Sequence, residues 1–241
     1  NTVDENNDGR PERYGLVWNY TEPFFVIPFV TGYGGRIFAP RDDPTATPVP
    51  TLDTPELIAA YEFVASLQSE YKVLPRSADY EAADALFLAG KAAMIINGDW
   101  SWQRYLDADG ILAAVAVLPT VDDTGLSMAP MVAPKGYSLT VAAKGQSIDS
   151  AVALIRFLTG EDTQRTFLTD QKILPSRLAL RDDPIVTNDP TLQVSIQQAE
   201  QGMAMPVDTE MRAVWDALRP PYQSLMAGQI DARAAAKESQ R

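Results

Sequence analysis

The chain has 241 residues and a formal net charge of −12, with 46% apolar and 22% charged residues, the balance of a globular protein large enough for a real core. Cysteine and histidine are both absent, which excludes disulfides, thiolate zinc sites, thiol nucleophiles and every triad built on imidazole. The acidity argues against nucleic acid or an anionic membrane as partner, and no stretch approaches the roughly 20 uninterrupted apolar residues of a membrane span.

The chain opens in polar sequence, Asn1-Thr-Val-Asp, that reads as the interior of something longer, with no signal peptide. Asp4, Asn6, Asp8 and Glu12 place oxygen ligands as a calcium loop does, with Gly9 among them. The position that should close such a loop with a bidentate glutamate is Gly15, so a solvated turn is the expected reading and no metal is assigned. Tyr14 to Asn19 reads as a short buried strand, aromatic and β-branched. Thr21-Glu22-Pro23 predicts a helix start with Thr21 as cap, followed by an aromatic first turn or two that Pro28 limits or kinks. Residues 32–50, rich in glycine and proline, read as loop.

Asp53-Thr54-Pro55-Glu56 opens a helix whose apolar face is Leu57, Ile58, Tyr61, Val64 and Leu67. A second helix from Tyr80 to Ala89 stops at Gly90. Lys91 to Asn97 predicts a strand, turned outward by Asn97-Gly98 into a short helix from Asp99 to Leu106. Ile111 to Leu118 and Tyr137 to Ala142 read as strands buried on both faces. Ser147 is expected to cap a helix through Leu158, and Glu161 to Asp170 forms another. Helices near 190–201, 209–227 and 230–240 close the chain. Strands alternating with helices imply an α/β fold.

Three motifs in order resemble the extracytoplasmic sugar-binding receptors of ABC importers, above all the maltose/maltodextrin-binding branch. They are Thr21-Glu22-Pro23-Phe24-Phe25 after a strand; Phe87 through Lys91 to Asn97-Gly98-Asp99-Trp100-Ser101-Trp102; and Met205-Pro206 followed by Met211 to Arg219 around Trp215. Leu158-Thr-Gly-Glu161-Asp-Thr-Gln lies between the second and third. The resemblance implies the type II periplasmic-binding-protein fold, two α/β lobes with sugar held between them. It begins well inside a family member. Residues 1–135 and 184–241 then belong to the second, C-terminal lobe, and 136–183 return to a first lobe whose opening portion is absent. The implied partners are an oligosaccharide and a membrane permease, with no cofactor and no nucleic acid. The implied place is the periplasmic or extracellular face of the membrane, with any lipid anchor on the absent opening portion.

A pyranose offers C–H faces and an equator of hydroxyls, so its site needs flat apolar platforms and a hydrogen-bonding rim. Trp100 reads by itself as either a core residue at a strand end or such a platform; the resemblance makes it a platform. Trp102, two residues on, points elsewhere and reads as core or rim. Trp215 lies in a stripe with Met211, Leu218 and Tyr222 that alone spells core. The resemblance makes it a second platform, with Arg219 one turn later as a polar contact. Glu22 is stabilised at a helix start whatever it does, and the resemblance makes it an acceptor for sugar hydroxyls. Phe24 stands where maltose receptors carry tyrosine, so a ring survives and a hydroxyl is lost. Pro23 and Phe25 are neighbours of the ligand or core, and Trp18 is core. A rival of another class is a glycoside hydrolase pairing Glu22 with Asp99; a third reading is a calcium-dependent structural module.

Overall fold

The computed structural model describes residues 2–4 and 11–241. The candidate calcium loop therefore falls largely outside the described residues, since Asn6 and Asp8 are not among them. Strand β1, Tyr14–Val17, lies parallel to β2, Ala92–Ile95, with Leu16 opposite Met94. Between them run a 3-10 helix, Pro23–Val26, and helices α1, Ile27–Gly32, α2, Pro55–Ser69, and α3, Tyr80–Leu88. After β2 come a 3-10 turn, Asp99–Ser101, and α4, Trp102–Leu106. A small hairpin of β3, Thr120–Val121, and β4, Leu126–Ser127, precedes β5, Met131–Val132. Helices α5, Gln146–Leu158, α6, Glu161–Gln171, α7, Pro184–Thr187, and α8, Pro190–Gln201, follow. Strand β6, Met203–Ala204, pairs parallel with β5 and leads into α9, Glu210–Met226, and α10, Ala232–Ser239.

Local chemistry explains most boundaries. Thr54 caps α2 by accepting from the Leu57 amide, Asp79 caps α3 through Ala82, and Asp189 caps α8. Gly90 takes the positive φ of +66° that ends α3. Helix α9 carries Pro220 and Pro221 in its middle and forfeits their amide donors. Burial of Leu218, Tyr222, Leu225 and Met226 on both sides of the pair carries the helix through.

The main core gathers β1, α1, α2, α9 and α10 around Trp18, Tyr61 and Tyr222. The Trp18 indole N–H donates to the Tyr222 hydroxyl at 3.2 Å, and Tyr61 stacks on Tyr222 with centroids 5.9 Å apart. Helix α10 meets α2 and α9 through Ala232, Ala235, Ala236 and Ser239, small residues that allow close approach. Gln240 then clamps the entry to α2, accepting from the Leu52 amide and donating to the Pro50 carbonyl. A second, smaller cluster holds Leu168 of α6 with Val186 and Leu192 of α7 and α8, joined by the Arg165–Asp183 and Lys172–Asp189 ion pairs.

Four expectations need correction. Thr21 is not a helix cap: its amide and hydroxyl both bind the Asn19 side chain, and Glu22 occupies the cap position without a capping bond from its side chain to the helix. Pro28 neither limits nor kinks a helix; it sits in the first turn of α1, where its missing N–H costs nothing. Ser147 lies inside α5, with its hydroxyl paired to Lys144, and Gly145 is the cap. The segments 111–118 and 137–142 form no strands and are not buried on both faces, Leu112 and Val141 being fully exposed. A strand exists only within a ladder, and among the described residues no neighbour supplies one to either segment. Helix α5 is in the same position, for none of its residues is buried and Phe157 is 66% exposed.

These burials predict unequal costs for one substitution. Leu218→Ala should destabilise the main core by about 2–5 kcal/mol, whereas Leu154→Ala on α5 should change stability by no more than about 0.5 kcal/mol. Urea unfolding of the two variants checks this, and equal losses would show that α5 is packed.

Candidate functional site

The buried Trp18–Tyr222 hydrogen bond joins positions at opposite ends of the sequence, and the site grows from it. Four residues after Trp18 comes Glu22, and three before Tyr222 comes Arg219. They meet as a two-point ion pair, Arg219 Nε donating to one carboxylate oxygen at 3.3 Å and Nη2 to the other at 3.2 Å. Nη1 reaches Asp216 at 3.3 Å, and Gln223 donates to the Thr21 carbonyl at 2.9 Å, tying α9 to the turn that presents Glu22. Hydrogen bonding to Glu22 holds the Arg219 guanidinium above its usual pKa. Both partners are only partly buried and reach solvent, so the pair adds little stability; its effect is to fix the direction of both heads.

Beside this pair Phe24 lies between two tryptophans. Its ring centroid is 6.4 Å from Trp100 and 6.4 Å from Trp215, both tilted, within the range of attractive aromatic pairing. Phe25 is buried and meets Phe24 edge-on at 5.5 Å, and Pro23 is buried too. Of the three residues after Glu22, only Phe24 is on the open side. Trp215 is half-buried at the margin of the α9 core stripe, where Met211, Leu218 and Tyr222 are buried as expected. Trp102 is half-buried in α4. Trp18 is fully buried.

Trp100 is 52% exposed, yet it is held on three sides. Its indole N–H donates to the Tyr80 hydroxyl at 3.0 Å, the Lys135 ammonium lies 5.8 Å from its ring centroid, and its six-membered ring rests against Gly98. A Cβ on Gly98 would come within 2.1 Å of that ring, so the ring can rest here only because residue 98 has no side chain; its backbone is ordinary extended chain. The turn itself is braced from within. Asn97 accepts from the Gly98 amide and donates to the Tyr105 hydroxyl, which donates to the buried Asp84, itself paired with Arg104. Burial and the bond to Asp84 both push the Tyr105 pKa up, so the phenol stays protonated as a donor.

Sequence reasoning missed Tyr80 and Lys135. Tyr80 looked like a helix start and nothing more, and no local spacing links it or Lys135 to Trp100. Glu22 and Asp99, the pair a hydrolase would use, share no hydrogen bond among the described residues. No cluster of three or more metal-binding side chains occurs among the described residues either. The aromatic group is an open face. Two hollows of about 310 Å³ lie elsewhere, one beside Asp53, Glu62 and Arg233 and another beside Phe38, Arg41 and Pro206. What the face offers is flat apolar rings next to a carboxylate and a guanidinium, which suits a ligand with C–H faces and hydroxyls.

Residues 30–194 match the bacterial extracellular solute-binding proteins, and the chain belongs to that family. The maltose/maltodextrin-binding domain MalE of Bdellovibrio bacteriovorus, solved bound to maltotriose, is 41% identical, with a TM-score of 0.89 over 99% of this chain and 61% of that one. The maltose-maltodextrin binding protein of Alicyclobacillus acidocaldarius is 25% identical, with a TM-score of 0.80 over 95% of this chain and 62% of that one. The maltotriose-binding protein of Pyrococcus abyssi is 29% identical over 86% of this chain and 44% of its own length. The galactooligosaccharide-binding protein of Bacillus subtilis is 24% identical over 92% of this chain and 53% of its own. The chain thus has the type II periplasmic-binding-protein fold and spans about half the length of these relatives.

The Gly98 contact yields a prediction. Gly98→Ala should displace the Trp100 indole, altering tryptophan emission and near-ultraviolet circular dichroism. Stability should change by no more than about 1 kcal/mol, because alanine tolerates this backbone and the ring can swing away. Unaltered tryptophan spectra would mean that the ring does not rest on Gly98 in solution.

Proposed function

We propose that this protein is part of an extracytoplasmic receptor that captures a maltose- or maltodextrin-like oligosaccharide between two lobes and delivers it to the permease of an ABC importer. The carrying observation is the group of Phe24, Trp100 and Trp215 beside the Glu22–Arg219 pair, in a chain that resembles a maltotriose-bound domain. Trp100 and Trp215 are the platforms for sugar rings, Phe24 the ring between them, and Glu22 and Arg219 the contacts for hydroxyls. Pro23 and Phe25 support Phe24 from the core. The protein works at the periplasmic or extracellular face of the membrane and catalyses nothing.

In this reading residues 1–135 and 184–241 build one lobe, and 136–183 belong to the other. The exposed apolar side chains Tyr137, Leu139, Val141, Leu154 and Phe157 favour that division, since cover from another sheet would complete them. The Leu168–Val186–Leu192 cluster then forms the junction where the chain returns.

Titration calorimetry with maltotriose and other oligosaccharides, beside an assay for released reducing sugar, tests the proposal. Saturable binding without turnover is expected. Turnover abolished by Glu22→Gln would replace the receptor by a hydrolase. Trp100→Ala and Trp215→Ala should each weaken maltotriose binding by about 1.5 kcal/mol or more without unfolding the protein, while Trp102→Phe leaves affinity unchanged. Normal binding by either alanine variant would remove that tryptophan from the site.

A further inference from the structure

Trp100 poses a mechanical problem. A ring that serves as a platform must leave one face bare, and an indole 52% exposed has too little packing to fix its plane. Its neighbour Ser101, by contrast, is buried at 5% exposure. Tyr80, at the start of α3, spans the gap. Its oxygen takes the indole N–H of Trp100 at 3.0 Å and lies 2.7 Å from the Ser101 hydroxyl. An indole nitrogen can only donate, so the tyrosine oxygen is the acceptor whichever way the hydroxyl pair is oriented. The exposed ring is thereby tied to a buried anchor in the same turn. Asp79 caps α3 and fixes the first helical turn, which gives Tyr80 a rigid base.

The other restraints on the ring leave one freedom. Gly98 limits approach from the side where the ring rests, and the Lys135 ammonium, which has no carboxylate partner among the described residues, attracts a ring face without direction. Neither these nor the tilted Phe24 ring, 6.4 Å away, sets the rotation of the indole about its own bonds. A directional N–H bond at the ring edge does.

We propose that Tyr80 is a positioning residue, holding the Trp100 indole through its N–H in the plane that receives a sugar ring, and so setting oligosaccharide affinity without being one of the platforms. The proposal rests on the receptor reading above. It separates the loss of the tyrosine hydroxyl from the loss of a ligand contact, because the hydroxyl acts only while Trp100 is there to be held.

The test is a double-mutant cycle in the protein, with two readouts. One is the indole N–H resonance of Trp100, assigned by its disappearance in Trp100→Phe; the other is maltotriose affinity by calorimetry. Tyr80→Phe keeps the ring and removes the acceptor. It should shift the Trp100 resonance and speed its exchange with water, leave the resonance of buried Trp18 in place, and weaken maltotriose binding about fivefold, the scale of one hydrogen bond. In the Trp100→Phe background, where no N–H remains, Tyr80→Phe should cause no further loss. An unmoved Trp100 resonance would overturn the proposal. So would a moved resonance with unchanged affinity, or an equal loss of affinity in both backgrounds, which would place the hydroxyl on the ligand itself. If the parent protein binds no maltotriose or other oligosaccharide, the receptor reading fails, and the resonance alone still decides whether Tyr80 holds the ring.

Discussion

The structure depends on one buried contact between distant parts of the chain, the hydrogen bond from Trp18 to Tyr222. It does more than satisfy two polar groups that would be costly to bury alone. It sets the register of helix α9 against strand β1, and that register decides what stands above the core. One helical turn before Tyr222 is Arg219, and two turns before it is Trp215. On the other side, the chain leaving β1 turns through the Asn19 side chain and offers Glu22 and Phe24 within four to six residues of Trp18. A slip of α9 by one residue would swing Arg219 and Trp215 away from Glu22 and Phe24 together.

The core and the site obey different physics although they share helices. In the core, orientation follows from close packing: Trp18, Tyr61 and Tyr222 have no room to turn. On the open face packing is given up, because a face already covered cannot receive a ligand. Direction there comes from polar contacts instead. Guanidinium and carboxylate aim each other, and an indole N–H finds a phenol. Individually these contacts add little to stability. Their effect is to remove rotamers that a binding site would otherwise have to freeze when ligand arrives.

This difference explains what could be read in the sequence. Helices α2, α3, α8, α9 and α10 were legible, since each has a cap or an apolar period within its own residues. So was the burial of Trp18, which directly follows the apolar strand residues Leu16 and Val17. Residues 111–118 and 137–142 were misread because apolar content reports a desire for cover, whereas a strand needs a neighbour, which a local window does not contain. Thr21 failed for a related reason. Its hydroxyl prefers Asn19, two residues back, over the amides ahead, and a cap rule that looks only forward does not see it.

Within the site, legibility followed the same line. Glu22, Phe24, Trp100, Trp215 and Arg219 stood out through motifs whose meaning came from resemblance; their periodicity alone pointed Trp215 into the core. The half-buried position of Trp215 leaves room for both readings. The stripe that buries Met211, Leu218 and Tyr222 leaves its margin at Trp215, so one side of that indole packs on the core cluster while another stays open. In the proposed receptor, the Trp215 platform would be a core-stripe residue displaced by a fraction of a turn. Tyr80, Lys135 and the missing side chain of Gly98 carried no such signal. Their roles exist only once α3, the turn after β2 and the segment beyond β5 have come together around one ring, which is a property of the fold and not of any stretch of sequence.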